Sequence, residues 1–308
     1  MSRSSSKLQG VISLLALLFL CAPVRAQTPR AGEGAGAAAE APAGYAWLRG
    51  ETGEPIESRI QPPQGFERLA AKPGSFGAWL RGLPLKAGRP PVHLYNGLLK
   101  GNQEAHHAVV LIDVGPKNLQ QCADAVIRLR AEYLYSAGCE DAVAFRFTSG
   151  DLAAWKRWRE GDRPHVQGSR VAWSRDAAPD ASYPNFRKYL NKVFEYAGTL
   201  SLGRELERVP DPRRIEIGDV YIQGGSPGHA VIVVDAAENG AGERVFLITQ
   251  SYMPAQEIHV LRNPADPSNP WYPAAAEGAL LTPEWTFRYT DLKRFPDAHC
   301  EREAAGTP

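Results

Sequence analysis

Ile217-Gly218-Asp219-Val220-Tyr221-Ile222 is followed by Gly224-Gly225-Ser226-Pro227-Gly228 and then by His229-Ala230-Val231-Ile232-Val233-Val234-Asp235. A turn rich in Gly and Asn, Glu238 to Glu243, leads on to Val245-Phe246-Leu247-Ile248-Thr249-Gln250. Short runs of β-branched and aromatic residues bounded by Gly and Pro are strand signals. The passage therefore reads strand, loop, strand, turn, strand, which is an antiparallel meander.

Helical patterns lie upstream of it. Leu119, Cys122, Val126, Leu129 and Tyr133 recur every three or four residues behind Pro116, and Gly138 follows. That spacing predicts a helix with one apolar stripe, with Pro116 suited to its first turn. Phe186, Tyr189, Leu190, Val193 and Phe194 mark a second helix over 183–196. A further hairpin is expected where Val92-His93-Leu94-Tyr95 and Ala108 to Val114 flank a turn at Lys100-Gly101-Asn102. Strands and helices in separate blocks define an α+β class, an antiparallel sheet packed with helices.

The start of the chain reads as an export signal. Arg3 and Lys7 precede an apolar run from Val11 to Val24, and Val24-Arg25-Ala26 offers a cleavage site. Charged head, apolar stretch and small residues stand in the order a secretory signal requires. Residues 1–26 are thus expected to be a signal peptide, removed in a periplasmic or secreted protein. Cys21 raises the alternative of a lipid anchor, but Leu18-Phe19-Leu20 are bulky where lipidation needs small residues. Residues 27–44 are mostly Ala, Gly, Pro and Glu, and are expected to be a disordered spacer. A single globular domain is expected over 45–298, with a polar tail over 299–308. With the signal removed, no integral membrane segment is expected.

The formal charge is +1, with Arg and Lys scattered among acids. A nucleic-acid partner would show as a basic patch or stripe, and none is present. No HExxH, CxxC or Gly-rich phosphate loop occurs, so metal and nucleotide chemistry have no motif behind them. No cofactor is expected. His106 and His107 are adjacent on a strand and point to opposite faces, so they cannot share one metal.

Three cysteines remain beyond the signal: Cys122, Cys139 and Cys300. An odd number in an oxidising compartment leaves one thiol over. A Cys139–Cys300 disulfide with a free Cys122 is an economical arrangement. Two readings of Cys122 stand. Near a helix start, amides and the helix dipole favour a reactive thiolate. On an apolar stripe, a thiol is equally a small core residue.

His229 opens a strand directly after a Pro-Gly loop, a place where functional groups often sit. Asp235 is on the same strand but about 20 Å away at the usual rise per residue, too far to orient it. A hairpin centred near Asn239–Gly240 brings His229 opposite Gln250, Ser251 or Tyr252. Gln250 is chosen among the three as the group that holds the imidazole. Trp155, Trp158, Trp173, Trp271 and Trp285 either line a ligand groove or pack the core. Asp124 and Glu132, on the Cys122 helix, read as solvated or salt-bridged.

Several stretches together resemble one bacterial family. They are Gln121-Cys122-Ala123-Asp124 through Leu134, Tyr196 to Leu202, Pro227-Gly228-His229-Ala230-Val231-Ile232, and Gln250-Ser251-Tyr252-Met253-Pro254-Ala255-Gln256. The family is the domain of unknown function 4846, and the likeness runs from about Gln61 to Phe295. Gly218-Asp219-Val220 with Gly228-His229-Ala230-Val231-Ile232-Val233 also looks like the Gly-Asp…His segment of NlpC/P60 and CHAP cysteine peptidases and amidases. That second resemblance implies a papain-like architecture, with Cys122 as nucleophile, His229 as base and Gln250 as the polar third residue. It implies hydrolysis of an amide in a peptide or peptidoglycan-like substrate. Two departures are plain: Gln121-Cys122-Ala123-Asp124 replaces the usual Asp-Cys-Ser-Gly, and a long insertion separates Cys122 from His229. The rival expectation is a non-catalytic envelope module on the same fold, with aromatic residues lining a peptide or glycan groove.

Overall fold

The computed structural model describes residues 44–48 and 50–297. The expected signal peptide, most of the spacer, Cys21, Cys300 and the polar tail lie outside the described residues. Among those described, the central sheet has nine strands. In chain order the strands of the central sheet and of the hairpin beside it are β1 (Phe66–Arg68), β2 (His106–Val109), β3 (Glu207–Arg208), β4 (Val220–Gln223), β5 (His229–Asn239), β6 (Arg244–Gln250), β7 (His259–Leu261), β8 (Tyr272–Pro273), β9 (Ala279–Leu281), β10 (Thr286–Arg288) and β11 (Leu292–Arg294). The sheet runs β2-β7-β6-β5-β4-β11-β3, with β8 beside β6 and β1 beside β5. All its pairings are antiparallel. β9 and β10 form a separate hairpin.

The long strand β5 sits at the centre because both its faces are apolar. Ala230, Ile232 and Val234 face the larger core, and Val231 and Val233 the smaller one. A strand covered on both sides reads as a continuous apolar run rather than an alternating one. Four helices matter for the site: α1 (Phe76–Arg81), α2 (Cys122–Ser136), α3 (Tyr183–Tyr196) and α4 (Thr199–Glu205). Residues of α1 to α4 pack into the larger core, while Leu280 and Phe287 of the β9–β10 hairpin pack into the smaller. The class is α+β, a mainly antiparallel sheet with helices.

Two sequence expectations give way here. The helix carrying Cys122 starts at Cys122, not near Pro116. Asp124 sets the start by accepting the Gln121 N–H at 3.0 Å, and a positive φ at Gly138 follows its end. Nor is α2 striped: every residue from Cys122 to Leu134 is buried, as in a helix enclosed on all sides. Glu132 is salt-bridged inside, to Arg128, whereas Asp124 is buried at the helix start rather than solvated. Arg128 meets Asp113 at 2.7 Å and Glu132 at 3.3 Å, and Tyr183 donates to Glu132 at 2.7 Å.

The expected hairpin of Val92–Tyr95 with the 108–114 run does not form. β2 pairs with β7 instead, while His93 bridges to Leu99 and Leu94 to Gln256. The Lys100-Gly101-Asn102 segment closes a small local loop, and long-range pairing overrides the local turn signal.

Candidate functional site

β5 and β6 meet the first turn of α2 at one end of the sheet. Gly228 makes the approach to His229 feasible. A side chain there would place a Cβ 2.5 Å from the Thr199 hydroxyl and 2.6 Å from the Gly225 carbonyl. The glycine loop thus packs flat against α4, and β5 begins in a fixed place.

His229 is 1 % exposed, and its Nε2 lies 2.8 Å from Gln250 Oε1. The register explains the contact. Ile232 pairs with Thr249 and Val233 with Ile248, and a bulge between Val233 and Asp235 adds one residue nearer the turn. Continuing the ladder sets His229 across from Tyr252, so Gln250 reaches it diagonally on the same face. Tyr252 lies edge-on to the imidazole, ring centroids 4.7 Å apart. Trp285 and Phe287 cover it at 5.4 and 5.7 Å. Three of the tryptophans weighed as groove residues, Trp155, Trp158 and Trp271, are core; Trp285 is half-buried beside the imidazole.

Cys122 is free, and 7 % exposed. Burial pushes its thiol up to about 11, and Asp124 adds to the rise. Amide groups of Ala123, of Ala230 and of Cys122 itself favour the thiolate but do not outweigh these two. Of the two influences weighed for Cys122, helix start and burial, desolvation is the larger on the thiol. The Ala230 amide that meets the thiol belongs to the residue directly after His229. No hydrogen bond joins Cys122 to His229 among the described residues. Burial pushes the Tyr252 hydroxyl up, followed by Glu284 and then Cys122.

Gln250 is itself held. Its Nε2 donates to Glu284 Oε2 at 2.8 Å and lies 3.4 Å from His259 Nε2. Glu284 is ion-paired with Lys100. Sequence reasoning reached Tyr252 as a register alternative but missed Lys100, His259, Glu284, Trp285 and Phe287 as one environment. The alternation Trp285-Thr286-Phe287 marks a strand; nothing in it points to His229.

Asp235 plays no part at this end; it binds Arg68 and Arg81. His106 is buried with Nε2 2.9 Å from the Pro90 carbonyl, and His107 is half-buried. Among the described residues no group of three or more His, Cys, Asp or Glu could hold a metal ion, and no helix is long and apolar enough to cross a membrane. Cys139 is disulfide-bonded, and its partner lies outside the described residues.

Residues 56–294 match the family described as a domain of unknown function (4846). The chain belongs to that family. None of the curated proteins and none of the solved structures matches it. Among the residues of this family domain, the polar groups at the β5–β6 end of the sheet are those assembled around a free thiol and an imidazole.

The two buried imidazoles set an acid limit on stability. Burial pushes His229 down to about 4, partly offset by its bond to Gln250, and His259 down to about 3. Between these values and an unfolded pKa of about 6.5, the unfolded chain binds protons that the folded chain refuses. Stability from this source is complete above about pH 6.5 and falls as the pH drops towards 4. For His229 the loss is roughly 3 kcal/mol at the acid end. Urea unfolding of wild type and His229→Gln across this range checks it. The variant is expected to lose less stability on acidification; equal losses would contradict a buried neutral His229.

Proposed function

We propose that this protein is a cell-envelope cysteine hydrolase, an amidase or peptidase, with papain-like, NlpC/P60-like use of its α+β fold. One observation carries the reading: the 2.8 Å bond from His229 to Gln250 at the strand end that meets the first turn of the Cys122 helix. A nucleophile, a base and a group that orients the base are the parts of an activated thiol.

The resting pair is a neutral thiol and a neutral imidazole, since Cys122 is pushed up to about 11 and His229 down to about 4. Catalysis then uses His229 as a general base during attack. With Nε2 committed to Gln250, Nδ1 takes the Sγ proton as Sγ bonds to the substrate carbonyl carbon. The carbonyl oxygen gains the electron pair, and backbone amides near Cys122 with the Tyr252 hydroxyl are the available donors. On collapse the C–N bond breaks, and the proton on Nδ1 passes to the leaving amine. Water, losing a proton to His229, cleaves the thioester and restores the thiol.

A peptide or peptidoglycan-like amide is the proposed substrate, met outside the cytoplasm. The export signal read in residues 1–26 supports that location, as does the disulfide at Cys139, a bond of oxidising compartments. Exposed Leu98, Leu99 and Met253 lie on the segments that carry Lys100 and Tyr252, an apolar rim suited to a peptide.

The second reading, a non-catalytic binding module, has its own observation. A cavity of about 500 Å³, lined by Trp47, Lys86, Asp113, Tyr183, Arg187 and Glu257 among others, shares no residue with the Cys122 site. Iodoacetamide labelling of Cys122 against pH, in wild type and His229→Ala, separates the two. A hydrolase labels in the native state, more slowly without His229. Labelling only after denaturation identifies a core cysteine and sinks the enzyme reading.

A further inference from the structure

Gln250 has two chemically different ends at one site. Its amide oxygen accepts and its nitrogen donates two hydrogens. If the amide were turned over, His229 would meet a donor and would have to offer Nε2 as the acceptor. Its proton would then sit on Nδ1, the nitrogen needed to take the thiol proton. The surroundings of Gln250 decide between these states.

Glu284 Oε2, 2.8 Å from Gln250 Nε2, is a carboxylate oxygen and can only accept while ionised. The buried Lys100, 5 % exposed, pairs with the other oxygen of Glu284, which leaves Oε2 facing the Gln250 amide. His259 adds the same demand more weakly. Its Nδ1 is 2.8 Å from the Glu257 carbonyl and must donate there, which leaves Nε2 as an acceptor 3.4 Å from Gln250 Nε2. Both neighbours require the nitrogen end. The oxygen end is left for His229, whose Nε2 must carry the hydrogen, and Nδ1 is bare.

We propose that the Lys100–Glu284 ion pair is a positioning element that selects the Nε2–H tautomer of His229 by locking the amide of Gln250. Its effect on chemistry rests on the hydrolase reading; the tautomer itself does not. Glu284 lies in the turn between β9 and β10. That turn is closed by the Thr282 hydroxyl donating to the Trp285 carbonyl at 2.8 Å, and tied to β4 by Trp285 Nε1 donating to Gln223 Oε1 at 3.0 Å. Lys100 comes from the loop that follows the His93–Leu99 bridge. Two distant segments thus converge behind a residue that touches the base.

The test uses the full chain with isotope-labelled histidine, near neutral pH. Nitrogen resonances distinguish the protonated from the bare ring nitrogen of His229. Wild type and Lys100→Arg are expected to show the Nε2–H tautomer alone. Glu284→Ala is expected to populate the Nδ1–H form and slow Cys122 alkylation about tenfold, the equivalent of one hydrogen bond. Lys100→Met, in which Glu284 loses the ion pair that holds it against Gln250, serves as the second variant should Glu284→Ala unfold. An Nδ1–H tautomer in wild type overturns the proposal, as does an unchanged tautomer in both Glu284→Ala and Lys100→Met. An inert Cys122 together with a switched tautomer supports the positioning role and overturns only the hydrolase reading.

Discussion

On the proposed hydrolase reading, His229→Ala is expected to lower turnover of a peptide amide by roughly 10²–10⁴-fold, the usual worth of a positioned general base. The resting thiol, pushed up to about 11, supplies almost no thiolate of its own at neutral pH. Without Nδ1 there is no group to take the proton during attack. The loss should fall on kcat rather than KM, because the imidazole is 1 % exposed and offers little binding surface. Gln250→Ala should cost less, since the base remains but is no longer held. Steady-state hydrolysis of a peptidoglycan-derived peptide checks both. Turnover in His229→Ala within a factor of about three of wild type would remove His229 from the chemistry.

Asp235→Ala is expected to destabilise the fold strongly, costing about 3–5 kcal/mol. Asp235 is fully buried and takes Arg68 Nε at 2.8 Å and Arg81 Nε at 2.7 Å. Those arginines also donate to the Ile60 and Leu69 carbonyls, at 2.7 and 2.8 Å. One carboxylate therefore clamps β1 and α1 onto the middle of β5. Removing it strands the Arg81 charge, only 7 % exposed, in the core. Urea unfolding at neutral pH measures the loss. Replacing Asp235 and the more buried of its two partners, as in Asp235→Leu with Arg81→Met, should cost less than the single change, because the charge then left without its carboxylate, Arg68, is a fifth exposed. A loss below about 1 kcal/mol for Asp235→Ala would mean that the clamp is not a stabilising element.

The meander was legible because β-branched runs and Gly/Pro loops act locally. Val220–Gln223, His229–Asn239 and Arg244–Gln250 follow from residues within each segment. The same local logic located His229 behind its glycine loop and narrowed its neighbour to three residues. It singled out Gln250 without fixing the register, because a bulge after Val233 shifts the ladder by one, and a bulge is settled by packing on both faces. It misplaced the start of α2 because Pro116 is as good an opening as Gln121 until Asp124 is seen to cap. The hairpin at Lys100 failed because partners far along the chain, in β7 and near Gln256, bind those backbone groups better.

By itself, then, the sequence determined the α+β class, the order of the central strands, and the candidates Cys122, His229 and Gln250. These depend on period, composition and turn chemistry, which one segment carries alone. Tertiary structure decided the rest. It gave Asp235 to Arg68 and Arg81, and it raised Cys122 and lowered His229 through burial. It also brought Lys100 and Glu284 behind Gln250. Desolvation and hydrogen-bond direction belong to the set of neighbours a residue finally has. Those neighbours lie up to 184 residues apart along the chain.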